Sequence, residues 1–196
     1  MCTKGDMQIW EEIQADPEKG AERLVAEYGE RLYATAFRIC LNETDAEDLV
    51  QRTFVQVLRR IGSFKGDSSF VTWMCAILVN FYRMDKRGKA RNALVLDETE
   101  ADERPDTDPD PAESFARRDE AAVLRAAVAH LPAVERETVV LHYFDGLSVP
   151  QIARLQGAPE GTVYYRLHEA RASIRKFVAK VLGAGGIQPD GKVNAA

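Results

Sequence analysis

LSVPQIARLQGAPEGTVYYRLHEARASIR, residues 147–175, carries the local signals of two helices joined by a tight turn. Ser148 suits an N-cap, and Gln151 three residues later completes a capping box. Pro150 falls in the first turn, where its missing N–H costs little. Ile152, Ala153 and Leu155 give that helix an apolar side, and Gly157 supplies the positive φ that ends it. After Pro159, Val163, Leu167, Ala170 and Ile174 recur at spacings of four, three and four, one buried helical face. The other side carries Thr162, Tyr164, Tyr165, Arg166, His168, Glu169, Arg171 and Arg175. This spacing fits two arrangements: a helix-turn-helix whose second helix enters a DNA groove, and a helical hairpin with a solvated outer face.

The 196-residue chain is long enough for one or two domains with a real core. Its net charge of −5 restricts any nucleic-acid contact to local basic patches. Cys2, Cys40 and Cys75 are odd in number and far apart, which fits a reducing cytoplasm and implies neither a disulfide framework nor a zinc site. No Ser/His/Asp, phosphate-loop or metal constellation stands out. His130, His142 and His168 are scattered, so the expectation is no catalytic group, no metal or other cofactor and no small-molecule substrate. No apolar run nears the roughly 20 residues of a membrane span. The N-terminal segment MCTKGDMQIWEEIQ lacks the apolar centre of a signal peptide. Membrane insertion is therefore not expected.

Taken in order, residues 6–14 predict a short helix with Met7, Ile9, Trp10 and Ile13 on one side, punctuated by Pro17 and Gly20. A second helix over 21–41 is lined by Leu24, Tyr28, Leu32 and Ile39, with Val25, Ala36 and Phe37 beside them. Thr44 and Glu47 read as another capping box, and Asp45, Glu47 and Asp48 crowd the first turn, where the helix dipole favours acids. Leu49, Val50, Phe54, Val57, Leu58 and Ile61 face inward; Asp48, Gln51, Arg52, Val55 and Arg59 remain outside. Residues 62–69, GSFKGDSS, form a loop by composition. Phe70, Trp73, Met74, Ile77, Leu78 and Phe81 then repeat as the core stripe of a helix over 70–87, with Asn80 and Arg83 off the stripe. That helix ends in Arg83, Lys86, Arg87, Lys89 and Arg91 against Asp85, a local charge of +4, which suits either a phosphate backbone or the helix dipole.

Eleven acids against three arginines give residues 93–120 a net charge of −8, and Pro105, Pro109 and Pro111 break any helix there. The composition predicts an acidic, flexible linker over 93–119. Helices resume over 121–131, with Val123, Leu124, Ala127, Val128 and Leu131 inward, and over 133–144, with Val139, Val140 and Tyr143 apolar. Residues 183–196 read as a disordered tail. The expected fold class is all-α: a helical bundle over 1–92, the linker, and a helix-turn-helix domain over 120–182.

Three segments in this order resemble the bacterial sigma factors of the extracytoplasmic-function type within the sigma-70 family. RLYATAFRIC with DAEDLVQRTFVQVLR is similar to the core-binding part of sigma region 2. FKGDSSFVTWMCAILVNFYRMDKR is similar to its promoter-melting and −10 part, and LPAVERETVVLHYFDGLSVPQIARLQGAPEGTVYYRLHEAR to region 4. The resemblance implies a promoter-specificity subunit of RNA polymerase, with core polymerase (the beta-prime clamp helices and the beta flap), promoter DNA and an anti-sigma factor as partners. Asp45, Asp48, Gln51 and Arg52 match the face that meets the clamp helices. Ser63, Phe64, Lys65, Asp67, Ser68 and Ser69 match the loop that captures an unpaired −10 base; such a loop can hydrogen-bond a base edge beside an aromatic wall. Asn80, Arg83, Lys86 and Arg87 match the helix end that holds the adjacent backbone. Thr162, Tyr164, Tyr165, Arg166, His168 and Arg171 match positions facing the −35 major groove. The chain departs from the family pattern at Arg52, where an acid is usual, at Tyr164 and Glu169, where bases are frequent, and at Tyr165, where a small residue is common. Two other readings of the helices remain: a helix-turn-helix regulator that acts without joining polymerase, and a helical interaction adaptor.

Overall fold

The computed structural model describes residues 4–96 and 120–182, and both segments are helical apart from short connections. The acidic linker over 97–119 and the tail over 183–196 lie outside the described residues. The N-terminal bundle consists of α1 (Lys4–Ala15), α2 (Pro17–Cys40), α3 (Glu43–Arg60), a 3-10 turn at Ile61–Ser63 and α4 (Phe70–Leu96). The C-terminal domain consists of α5 (Glu120–Ala129), α6 (Ala133–Val139), a π-helical turn at Val140–Phe144, α7 (Val149–Gln156) and α8 (Glu160–Leu182). Among the described residues no helix is long and apolar enough to cross a membrane.

Local chemistry sets the boundaries. Asp16 caps α2 by accepting from the Lys19 amide at 3.2 Å, and Pro17 occupies the first turn. Gly20, expected as a helix breaker, sits inside α2 and is buried. A Cβ there would fall 2.5 Å from Ile13 Cα, so glycine is what lets α1 lie against α2. The capping box expected at Thr44 is displaced. Asn42 is the N-cap of α3, its Oδ1 accepting from the Asp45 amide at 2.9 Å, which puts Thr44 in the first turn. Asn is as good a cap as Thr and stands two residues earlier. Helix α4 continues beyond Arg87 to Leu96, so residues 93–96 are helical rather than linker. The run KARNALVL is rich in helix formers, and Gly88 costs only about 1 kcal/mol against alanine.

Most of the expected stripes are buried. Leu24, Leu32, Ala36 and Ile39 of α2 meet Ala46, Leu49, Phe54 and Val57 of α3 and Phe70, Met74, Leu78 and Val79 of α4. The stripe on α4 is wider than its period suggested, since Val71, Cys75 and Tyr82 are buried while Trp73, Ile77 and Phe81 stay half-buried. Some apolar residues expected inside are outside: Val25, Phe37 and Leu124 are exposed. The two helical domains share one continuous apolar cluster, in which Val139, Val140, Leu141, Leu147 and Ile152 join the residues of the N-terminal bundle.

Polar contacts reinforce this apposition. Arg136 is buried, and its guanidinium donates to the Ile39 carbonyl of α2 at 3.1 Å and to the Ala129 and Leu131 carbonyls at 3.2 and 2.9 Å. Thr35 donates to the Asp145 carboxylate at 2.8 Å, and Arg31 to its backbone carbonyl at 3.4 Å. Burial pushes the Asp145 carboxyl above the usual carboxylate range. Arg38 lies over the Phe144 ring at 4.5 Å.

Candidate nucleic-acid and polymerase interface

The helix-turn-helix forms as its local signals imply. Ser148 caps α7, and Gln151 Oε1 accepts from the Ser148 amide at 2.8 Å and from its hydroxyl at 2.9 Å. Gly157 has φ 58° and closes α7 in the left-handed region. Val163, Leu167 and Ala170 anchor α8, with Ile174 partly buried. The groove at the turn is lined by Pro150, Ala153, Arg154, Gly157, Ala158, Pro159 and Glu160. Arg154, which the spacing did not single out, is exposed at its edge.

Outward from this anchor, Tyr164, Tyr165 and His168 are strongly exposed, at 59% and 65% for the tyrosines and 68% for the histidine side chain. Arg171 is exposed and donates back to the Leu167 carbonyl at 3.2 Å. Thr162 is half-buried at the start of the helix, where its amide donates to the Pro159 carbonyl at 2.9 Å. Arg166 differs from these, because its guanidinium donates to Gln156 Oε1 of α7 and it is half-buried. The free surface of α8 is thus a row of two tyrosines, a histidine and an arginine, able to donate to phosphates and to pack on thymine methyls.

The loop after α3 is held from behind. Trp10 Nε1–H donates to the Ile61 carbonyl at 3.0 Å. The Asp6 carboxylate accepts from the Tyr28 hydroxyl at 2.6 Å and from the Phe70 amide at 3.4 Å. Phe64 packs 4.9 Å from Phe70 and 5.2 Å from Trp73, ring centre to ring centre, and is only 8% exposed. Phe64 is therefore not an aromatic wall on the loop surface. It is the loop's anchor, because burying its ring against two other aromatics outweighs leaving it in water. Ser69 caps α4 through the Thr72 amide at 3.2 Å, and the Ser68 hydroxyl donates to the Ser69 carbonyl at 3.2 Å. The Ser63 hydroxyl donates to the Arg60 carbonyl at 2.7 Å. Ser63, Lys65 and Asp67 remain exposed for contact.

On α4, Asn80, Lys86 and Arg87 are exposed, whereas Arg83 is not free. Arg83 donates to Glu137 of α6 from Nε at 3.2 Å and from Nη2 at 2.7 Å, and to the Leu155 carbonyl from Nη1 at 2.7 Å. On α3, Asp45, Asp48 and Gln51 are exposed. Arg52 binds Asp85 of α4 through both nitrogens, at 2.9 and 3.1 Å, and Asp48 at 2.7 Å, with the Phe81 ring 4.6 Å away. The hydrogen bonds to Asp85, foremost, push the guanidinium further above its ordinary range. Arg52 thus holds α3 to α4 and leaves the acids and Gln51 as the accessible part of that face. Nothing in the spacing gives Glu137, Gln156 or Arg136 a role beyond that of an ordinary helical residue, and Asp145 reads only as a helix end.

These features define an all-α protein with a helical bundle, a basic helix end and a helix-turn-helix with an exposed second helix. Residues 24–92 match the family Sigma-70 region 2, and residues 121–174 match Sigma-70, region 4. The chain is 33% identical over 159 residues to the ECF RNA polymerase sigma factor SigE of Mycolicibacterium smegmatis, a match covering 81% of this chain and 62% of that relative's own length. It is 28% identical over 184 residues to the RNA polymerase sigma-H factor of Pseudomonas aeruginosa, covering 90% of this chain and 95% of that one. In fold it is similar to the sigma factor RpoE solved with the anti-sigma factor NepR from Bartonella quintana (TM-score 0.61, 24% identity, 80% of this chain and 95% of that one). It is likewise similar to CnrH solved with the cytosolic domain of CnrY (TM-score 0.59, 24% identity, 89% and 97%). The chain belongs to the sigma-70 family, among the extracytoplasmic-function sigma factors that direct transcription.

Proposed function

We propose that the chain is a dissociable specificity subunit: it binds core RNA polymerase and directs initiation at promoters through a −10 and a −35 element. The observation that carries this reading is the succession of both sigma regions on the two helical domains, with an exposed α8 face in the second. Asp45, Asp48 and Gln51 on α3 dock on the beta-prime clamp helices, with Arg52 fixing the helix that presents them. Ser63, Lys65 and Asp67 border the captured −10 base, and Asn80, Lys86 and Arg87 hold the adjacent backbone. Thr162, Tyr164, Tyr165, His168 and Arg171 meet the −35 duplex, while the C-terminal domain rests on the beta flap. An anti-sigma partner controls the free chain, a reading supported by the anti-sigma factor NepR bound to the solved protein of similar fold from Bartonella quintana.

The docking assignment has a direct test. Asp48→Arg with Gln51→Ala should weaken binding to core polymerase about tenfold or more, in the range of charge-reversed interface contacts, and leave the helix content unchanged. Competition against a labelled sigma factor measures it. Unchanged affinity would remove this face from the contact.

A further inference from the structure

We propose that Glu169 is a base-reading residue of α8, and that it selects a cytosine in the −35 element by accepting from the exocyclic amine at the major-groove edge. The proposal rests on the functional reading above and adds to it a residue that reading leaves unused. At about 100° per residue, the pole of α8 opposite Val163, Leu167, Ala170 and Ile174 falls at Tyr165. Glu169 lies about 40° from that pole and His168 about 60° away on its other side, so the acid belongs to the face that presents Tyr165. Its side chain is 42% exposed. Among the described residues no lysine or arginine pairs with it. His168 does, its Nδ1–H donating to Glu169 Oε1 at 3.3 Å, which leaves the second carboxylate oxygen for another donor. The neighbouring helix repels the acid. Helix α6 packs against α8 and brings Glu135 up to it. Burial and then the Glu169 charge hold the Glu135 carboxyl above the usual carboxylate range. A carboxylate with a like charge behind it and an N–H beside it is directed outward, toward the groove that α8 enters.

A carboxylate in this place is selective because most of what DNA presents repels it. Phosphates are anionic. In the major groove guanine offers the acceptors N7 and O6, and thymine offers the acceptor O4 and a methyl group. Only cytosine and adenine carry an amine there. Adenine sets its acceptor N7 beside that amine, against the second carboxylate oxygen, whereas cytosine has no acceptor on its own edge. Cytosine under Glu169 therefore gives the carboxylate a donor in exchange for the water it loses. Any other base leaves it desolvated and without full satisfaction.

The test uses the full chain with core polymerase on a promoter library randomised across the −35 element, with the sequences that yield transcripts counted. Wild type should favour cytosine at one position by roughly fivefold or more over each other base, the size of one base contact. Glu169→Ala should flatten the preference at that position and leave the ranking at the others unchanged. Glu169→Gln should move the preference there from cytosine to adenine, because an amide matches the amine and N7 of adenine together. Removing a negative charge near phosphates raises output from every sequence alike, so a change confined to one position is what marks base reading. A uniform rise with the wild-type ranking intact in both variants overturns the proposal and leaves Glu169 a solvated acid. A preference for another base at the position that Glu169→Ala flattens overturns the cytosine assignment. Transcripts from wild type that share no −35 sequence at all overturn the reading of α8 on which the proposal rests.

Discussion

Gly20→Ala should displace α1 from the N-terminal bundle and cost most of the promoter-opening activity. The added Cβ would meet Ile13 Cα at 2.5 Å and Ile13 N at 2.6 Å. Both are backbone atoms, so no rotamer change relieves the clash and the helix must move as a body. The buried side chains Ile9 and Ile13 move with it. So does the Trp10 hydrogen bond to the Ile61 carbonyl, and with it one brace of the 62–69 loop. Overpacking of this kind costs about 3 kcal/mol, which for a chain of this size lowers Tm by roughly 6–12 °C. Thermal unfolding and permanganate footprinting of the promoter bubble measure the two consequences, while binding of a −35 duplex should persist because α1 packs chiefly on α2 and the 3-10 turn of the N-terminal bundle. A Tm within about 2 °C of wild type would show that α1 does not need its close approach to α2.

Arg136→Met should destabilise the whole molecule, because it strips the donors from three carbonyls at once. Arg136 is 8% exposed, and its guanidinium lies between the end of α2 and the end of α5. Ala129 of α5 and Ile39 of α2 present last-turn carbonyls there, and Leu131 presents one from the connection just after α5. Methionine fills much of the volume but donates nothing. Each orphaned buried acceptor costs about 1–3 kcal/mol, so the three together cost roughly 3–9 kcal/mol. Denaturant titration should give a midpoint shifted far below wild type, and Arg136→Lys should recover only part of it, since one ammonium cannot match a planar fork. A midpoint unchanged by Arg136→Met would mean that water replaces the guanidinium without loss.

The helix-turn-helix was legible residue by residue because its signals are local. Ser148, Pro150, Gly157 and the α8 stripe lie within one or two turns of the groups they serve. The same holds for the loop at 62–69 and for the acid-rich start of α3. Relations between distant residues were not legible. Gly20 reads as punctuation until Ile13 is seen against it. Phe64 reads as a free aromatic in a polar loop until Phe70 and Trp73 close round it. Arg83 reads as one more base in a run, because its partner Glu137 is 54 positions away and no periodicity links them. Arg52 reads as one more base on an outward face until Asp85 is seen across the α3–α4 seam.

If this chain gives core polymerase its promoter specificity, run-off transcription with purified core polymerase will show it. Genomic fragments are supplied as template, with and without the chain. Discrete transcripts should appear only when both chain and core are present, with start sites sharing common −10 and −35 sequences. Equal, unspecific transcription in both reactions, or tight binding to those fragments by the chain alone with no effect on start sites, would contradict it.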